Sequence, residues 1–211
     1  MSLEATAPGE VGGDGADVRQ RLLDTAERLF GERGVAETSV RALTGAAGLN
    51  VALVNYYFGS KDNLVRAVVE RRQGPLNAER LRLLDALPSP PDAEGILRAL
   101  ARPALGLAFD HPHFARLASR LRLDPDRSLW RDYRAGQREV TDRFLAALGA
   151  ALPHLSADEV ATRLHFVQGG IAQVWAHCPL PPEETPERLV ARFLTFYAAA
   201  LRAPGAAAPA E

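Results

Sequence analysis

The stretch Asn50-Val51-Ala52-Leu53-Val54-Asn55-Tyr56-Tyr57 sets two carboxamides beside small apolar side chains and two phenols. A carboxamide can pair bidentately with the edge of adenine, and small apolar groups can meet the thymine methyl. Phenol hydroxyls can donate to phosphate oxygens. Such a set suits contact with double-stranded DNA. The rest of the chain offers no stronger chemistry. It has no phosphate-binding glycine loop, no His/Cys metal spacing and no Gly-x-Ser-x-Gly elbow. Asp110-His111-Pro112-His113 is the one histidine cluster, and it has no third ligand nearby. The single cysteine, Cys178, excludes an internal disulfide and a multi-cysteine zinc site; packing is its expected role. We expect no catalytic residue, no metal and no cofactor.

Reading residues need a rigid support, and the flanking pattern supplies one. Helical period runs from about Asp17, a candidate cap, to Arg33, with Leu22, Ala26, Leu29 and Phe30 on one face. Gly34 ends that helix. A second helix starts at Thr38 or Ser39 and stops before Gly48. A third runs from Asn50, its expected cap, to about Phe58. Two helices meeting through Ala47-Gly48-Leu49 match a helix-turn-helix, whose turn needs the positive φ that Gly48 allows. Val40, Leu43, Ala47, Leu49, Val54 and Phe58 would seal the pair against the first helix. Asn50, Val51, Ala52 and Asn55 stay on the open face. On this pattern alone, a three-helix packing unit without a DNA role remains an alternative.

The remaining chain also has helical period, and no strand pattern is evident. A fourth helix begins near Ser60 and reaches about Gln73 or beyond, with Gly74-Pro75 as an expected bend or break. Pro88-Ser89-Pro90-Pro91 reads as a linker. Further helices are expected over Asp92 to Phe109, kinked at Pro103, over Pro112 to Leu123, and over Pro125 to about Leu152. Ser156 and Glu159 form a capping-box pattern opening a helix to about His177. The last helix covers about Pro186 to Leu201. The expected fold is all-α. Residues 1–16 are a disordered arm, 17–72 a helix-turn-helix domain, 73–202 a helical ligand-binding and dimerisation domain, and 203–211 a disordered tail.

The composition of the 211 residues agrees with a globular protein, at 47% apolar and 24% charged. No apolar run approaches the roughly 20 residues of a membrane helix. No basic segment with an apolar core marks a secretory signal, so a cytoplasmic, nucleoid-associated protein is expected. Net charge is −1. Residues 17–72 hold nine Lys/Arg against seven Asp/Glu, a weak basic footprint. The DNA reading therefore rests on pattern and not on charge.

Residues 18–72 resemble the TetR family of regulators. The matching pieces are Ala26-Glu27-Arg28-Leu29-Phe30-Gly31-Glu32-Arg33-Gly34, Thr38-Ser39-Val40-Arg41, Ala47-Gly48-Leu49 and Tyr56-Tyr57-Phe58-Gly59-Ser60-Lys61-Asp62-Asn63-Leu64, in family order and spacing. The resemblance implies an all-α homodimer with an effector pocket in its C-terminal domain, acting as a repressor released by ligand. It implies base contacts at Arg41, Val51, Ala52, Leu53 and Asn55, and phosphate contacts at Ser39, Tyr56, Tyr57 and Lys61. The family often has Thr where this chain has Leu53, and Tyr where it has Asn55, so an operator sequence does not transfer. The Asn-Tyr-Tyr-Phe-Gly-Ser-Lys form resembles a subgroup that includes fatty-acid-responsive regulators. That likeness extends weakly into Gly74-Pro75-Leu76-Asn77-Ala78-Glu79-Arg80-Leu81.

Two helices of the second domain carry apolar seams suited to dimerisation. Val160, Leu164, Val167, Ile171, Val174 and Cys178 follow one another at four- and three-residue spacing, and Gly169-Gly170 suggests close approach of another backbone. Leu189, Phe193, Phe196 and Ala200 form one stripe on the last helix; Leu194, Tyr197 and Leu201 form a second. A purely monomeric core is the alternative. Polar and aromatic residues on apolar helices are the effector candidates: Arg102, Phe109, Arg116, Arg120, Tyr133, His165, Gln168 and Trp175. Arginine suits a carboxylate or phosphate head group. The expected effector is a small, mostly apolar molecule, such as a fatty acid or its thioester. The competing function is a non-enzymatic helical protein-interaction scaffold without specific DNA binding.

Overall fold

The computed structural model describes residues 14–123, 128–177 and 179–205. Among these it contains ten helices and no strand. They are α1 (Asp14–Arg33), α2 (Val40–Ala47), α3 (Ala52–Phe58), α4 (Lys61–Asp85), α5 (Ala93–Asp110), α6 (Pro112–Leu123), α7 (Ser128–Ala135), α8 (Arg138–Ala151), α9 (Ala157–Ala176) and α10 (Pro186–Arg202). Helices α1–α3 and the start of α4 form an N-terminal helix-turn-helix unit. The other helices, with the rest of α4, form a larger C-terminal unit. No helix among the described residues is long and apolar enough to cross a membrane.

Local signals account for most boundaries. Ser39, Ser60, Asp92, Ser156 and Thr185 each accept a backbone N–H with the side-chain oxygen and cap α2, α4, α5, α9 and α10. Gly48 adopts φ 66°, as the turn requires. Leu22, Ala26, Leu29 and Phe30 are buried against Leu43, Val54 and Phe58, and Leu64, Val65 and Val68 complete that core. On α5, Ile96, Leu97, Leu100, Ala104 and Leu105 all point inward.

Four expectations need correction. Helix α1 begins at Asp14, so Asp17 lies inside it and the expected arm is shorter than 1–16. Helix α4 is not broken at Gly74-Pro75. Proline in a helix costs ~3 kcal/mol, but α4 buries Val65, Val68 and Val69 before that pair and Leu76 and Leu84 after it. Burial on both sides holds the helix through its weak point. The single helix expected over Pro125 to Leu152 is two, α7 and α8, parted at Gly136 and Gln137; Pro125 lies outside the described residues. Side chains from α4 set that break. Gln73 Nε2 donates to the Tyr133 carbonyl at 2.9 Å, and Asn77 Nδ2 donates to the Gly136 carbonyl at 3.0 Å. A Cβ on Gly136 would crowd Gln73 at 3.1 Å. Finally, Ser156 caps α9, but Glu159 does not close the box. Its carboxylate takes Nε and Nη2 of Arg163 at 2.9 and 2.8 Å. Arg163 in turn donates to the carbonyls of Ala200, Leu201, Ala203 and Pro204, satisfying the C-terminal end of α10.

The two units are tied at two places. Glu27 of α1 is buried and receives Arg71 and Arg72 of α4, Arg72 Nε at 2.9 Å. Arg71 also reaches Asp24 at 2.6 Å, and Arg72 Nη1 lies 3.1 Å from His111 Nε2. The second tie is α1 on α6. A Cβ on Gly31 would sit 2.3 Å from the His113 carbonyl oxygen, so only glycine lets these backbones meet.

Gly31→Ala should therefore lower stability by about 1–3 kcal/mol, as overpacking does. Gly149→Ala in α8 meets open space and should raise it by about 0.4–1 kcal/mol. Thermal or urea unfolding of both variants checks the pair; equal effects would contradict the α1–α6 contact.

Candidate nucleic-acid interface and cavity

Helices α2 and α3 and the N-terminus of α4 present one surface. Ser39 Oγ accepts the Ala42 N–H at 3.1 Å, which leaves its hydroxyl proton for an outside acceptor. Arg41 is exposed on α2. Asn50 Oδ1 accepts the Ala52 N–H at 2.9 Å, so it caps α3 from two residues before its first turn and has its oxygen committed. Val51 is 50% exposed, and Ala52 and Asn55 are exposed beside it. Leu53 and Tyr57 are half-buried and pack on the core, so they reach outward only in part. Tyr56 is 72% exposed, with its ring edge-on to Tyr57 at 4.9 Å. Lys61 is the first residue of α4, directly after the Ser60 cap.

This face is held from behind. Gly59 takes φ 76°, and Asn63 Nδ2 donates to the Phe58 carbonyl at 2.9 Å. Arg21 Nη2 donates to the Ala47 carbonyl at 2.7 Å and closes α2. The Arg19 guanidinium lies 5.3 Å from the Phe58 ring centre. The reading helix is thus fixed by α1 and α4, and sequence reasoning missed both arginines because their partners are distant in sequence.

The larger unit holds a cavity of about 990 Å³ among α4, α5, α6, α7, α8 and α9. Of the eight effector candidates, Tyr133, His165, Gln168 and Trp175 line it. Trp175 is buried and spends its N–H on the Ala104 carbonyl at 2.8 Å, so it offers a ring face only. Arg102, Phe109, Arg116 and Arg120 do not line it. Arg102 is exposed and close enough to Glu79 to lower that carboxyl's pKa further than its hydrogen bond to Arg82 alone does. Phe109 packs half-buried against the core. Arg116 Nη2 lies 3.0 Å from His113 Nδ1, and Arg120 Nη2 donates to the Glu32 carbonyl at 3.1 Å. Arg120 thus ties α6 to the end of α1, while Arg116 pairs within α6. Helical spacing placed them one turn apart but could not say which neighbour they faced. Arg80, missed at the sequence level, lines the cavity while almost fully buried.

The α9–α10 pair also departs from expectation. Ile171 and Val167 face the protomer's own core. At Gly170 the close neighbour is the Tyr197 ring, whose oxygen a Cβ would meet at 2.1 Å, and not a backbone. Gly169 faces open space. Phe166 and Phe196 are left outside at 61% and 67% exposure. Cys178 lies outside the described residues.

Among the described residues, the exposed large hydrophobics fall into two sets, Val51 and Tyr56 at α3 and Phe166 and Phe196 on α9 and α10.

Comparison with known proteins gives the same division. Residues 22–68 match the model of bacterial regulatory proteins of the tetR family, and residues 98–200 match a tetracyclin repressor-like C-terminal domain. The HTH-type transcriptional repressor Rv3405c of Mycobacterium tuberculosis is 39% identical over 92 residues, 44% of this chain and 45% of that protein. The chain thus spans less than half the length of the curated relatives it matches. A TetR-family regulator from Bordetella parapertussis has the same fold, with TM-score 0.73 and 17% identity over 86% of this chain and 94% of that one. So does the fatty acid degradation regulator FadR from Bacillus halodurans, with TM-score 0.70 and 17% identity over 92% and 99%. A helix-turn-helix on α1–α4 and a matching helical C-terminal domain make this chain a member of the TetR family of bacterial regulatory proteins.

Proposed function

We propose that the chain is a ligand-responsive transcriptional repressor that binds a palindromic operator as a homodimer and leaves it when a small, mostly apolar effector enters the cavity. The observation that carries the reading is the exposed α2–α3 face, with Asn55, Val51 and Ala52 outward on a short helix braced by α1 and α4. Arg41, Val51, Ala52, Leu53 and Asn55 are assigned to bases, Leu53 through the part of its side chain left exposed. Ser39, Asn50, Tyr56, Tyr57 and Lys61 are assigned to the backbone side of the contact, Asn50 through its amide nitrogen. Residues 17–72 act as the reading unit and 73–202 as the ligand and dimer unit, although one helix runs across that division. The protein works in the cytoplasm, on the nucleoid.

Coupling runs through α4. Its first turn carries Lys61, and its later turns reach the cavity through Arg80 and α7 through Gln73. A ligand shifts DNA affinity only by its differential affinity for two states, typically about 1–3 kcal/mol of coupling. A changed tilt of α4 alters the spacing of the two reading helices, which must match half-sites about 34 Å apart. His165, Gln168, Tyr133 and Trp175 are the effector contacts this reading retains.

The partner surface is assigned to α9 and α10 through Phe166 and Phe196, which a soluble protomer would otherwise leave in water. A two-fold dimer then pairs with a two-fold operator.

Asn55→Ala should cost about 1–3 kcal/mol on the specific site and relax discrimination at one position per half-site. Lys61→Ala should weaken binding to every sequence and reduce the salt slope by about 1. Mobility shifts on DNA upstream of the chain's own gene, across a salt series, separate the two. Equal loss on specific and random DNA for Asn55→Ala would remove it from the reading face, and no shift on any DNA would favour the scaffold reading.

Phe196→Glu should convert the dimer to a monomer that keeps its helical circular dichroism. Sedimentation at micromolar concentration checks this. A monomeric unmodified chain would sink the dimer assignment.

A further inference from the structure

We propose that the cavity takes an organic oxyanion, a carboxylate or phosphate on an apolar body, and that Arg80 of α4 holds the charged group. The proposal rests on the effector reading above and adds the charge of the ligand and the residue that meets it.

Arg80 is 6% exposed and lines the cavity. Its Nε donates to the Leu100 carbonyl at 3.0 Å, which anchors the guanidinium to α5. No carboxylate pairs with it among the described residues, and its two Nη groups carry no hydrogen bond there. Those groups hold four of the five guanidinium N–H donors. They are not sealed in protein but open onto the cavity, and arginine keeps its proton at neutral pH. Burial pushes it down only to about 10. The neighbouring Tyr133 does not supply the missing charge, because burial raises its phenol above the ordinary value and keeps it neutral. The site therefore presents to the cavity an anchored cation whose remaining donors suit an anion.

The remaining lining agrees. Arg131, Arg134 and Arg138 join Arg80 against Asp142. This excess of positive charge favours entry of an anion. Apolar residues complete the lining, with Leu100, Val140, Phe144, Ile171 and Trp175. A volume of about 990 Å³ lies at the upper end of ligand sites, roughly 300–1,000 Å³, and leaves room for a body well beyond the acidic group. Guanidinium meets carboxylate and phosphate in the same bidentate fashion, so the shared chemistry is the oxyanion.

The full chain, without DNA, is titrated with decanoate, decyl phosphate, decanol and decylamine, followed by tryptophan fluorescence and thermal shift. At least one of the two anions should bind roughly tenfold or more tightly than decanol, and the better one identifies the head group. Arg80→Met should abolish this preference and leave decanol binding unchanged. Because the bond to the Leu100 carbonyl is lost, the ligand-free chain should melt somewhat lower, and the head-group preference is the readout that decides. A purely structural arginine would lower the melting temperature in the same way and leave the preference intact, which would overturn the proposal. Decanol or decylamine binding as tightly as the better anion would overturn it too, as would no binding of either anion at millimolar concentration. If Arg80→Met does not fold, the head-group comparison on the unmodified chain still decides. Failure to bind an operator would sink the regulator reading without changing these titrations.

Discussion

Helix α4 belongs to both cores at once, and every other relation in the molecule depends on it. Along its length, polar side chains fix three neighbours. Arg71 and Arg72 hold the buried Glu27 of α1, Gln73 and Asn77 close the end of α7, and Arg80 grips a carbonyl of α5. Removing one partner of a buried ion pair costs about 3–5 kcal/mol, because the other charge stays buried and unpaired. The helix therefore cannot slide independently against any one of these neighbours. It moves with them or not at all.

The reading unit is accordingly not a free module on a flexible tether. Its first helix lies against α6 through Gly31 and against α4 through Glu27, and Arg120 of α6 reaches back to the end of α1. The cavity opens on the same α4 whose first turn carries Lys61. Packed interiors are not continuously deformable, so helices joined in this way can rearrange only as rigid bodies. Two adjacent glycines of α9 have opposite surroundings. Gly170 is occupied by Tyr197 from the same protomer, while Gly169 beside it faces open space near exposed Phe166.

Arginine is the residue whose role changes most between sequence and structure. Arg102, Arg116 and Arg120 looked suited to an acidic ligand, yet Arg120 ties α6 to α1, Arg116 pairs with His113 on its own helix and Arg102 faces solvent. Arg80 and Arg163 sat unremarked in helical runs, and they are the buried ones. A long flexible side chain with several donors can reach partners on any adjacent helix, so periodicity says which face it leaves from and not what it meets.

The sequence alone determined what depends on short-range physics. Side-chain oxygens at Ser39, Asp92 and Ser156 begin helices because the N–H groups they accept lie within the next turn. Gly48 turns the chain because no Cβ opposes its left-handed φ. The apolar period of α1, α2 and α3 placed Leu22, Phe30, Leu43 and Val54 in one core, and the exposed face of α3 followed from it. Only the tertiary structure decided the rest. Helix α4 passes through Gly74-Pro75 because packing on both sides outweighs one lost hydrogen bond. The break between α7 and α8 exists because Gln73 and Asn77 arrive from another helix to take the freed carbonyls. The cavity and its buried arginine arise where six helices converge. These outcomes turn on contacts between residues far apart in sequence, whose energies belong to no local pattern.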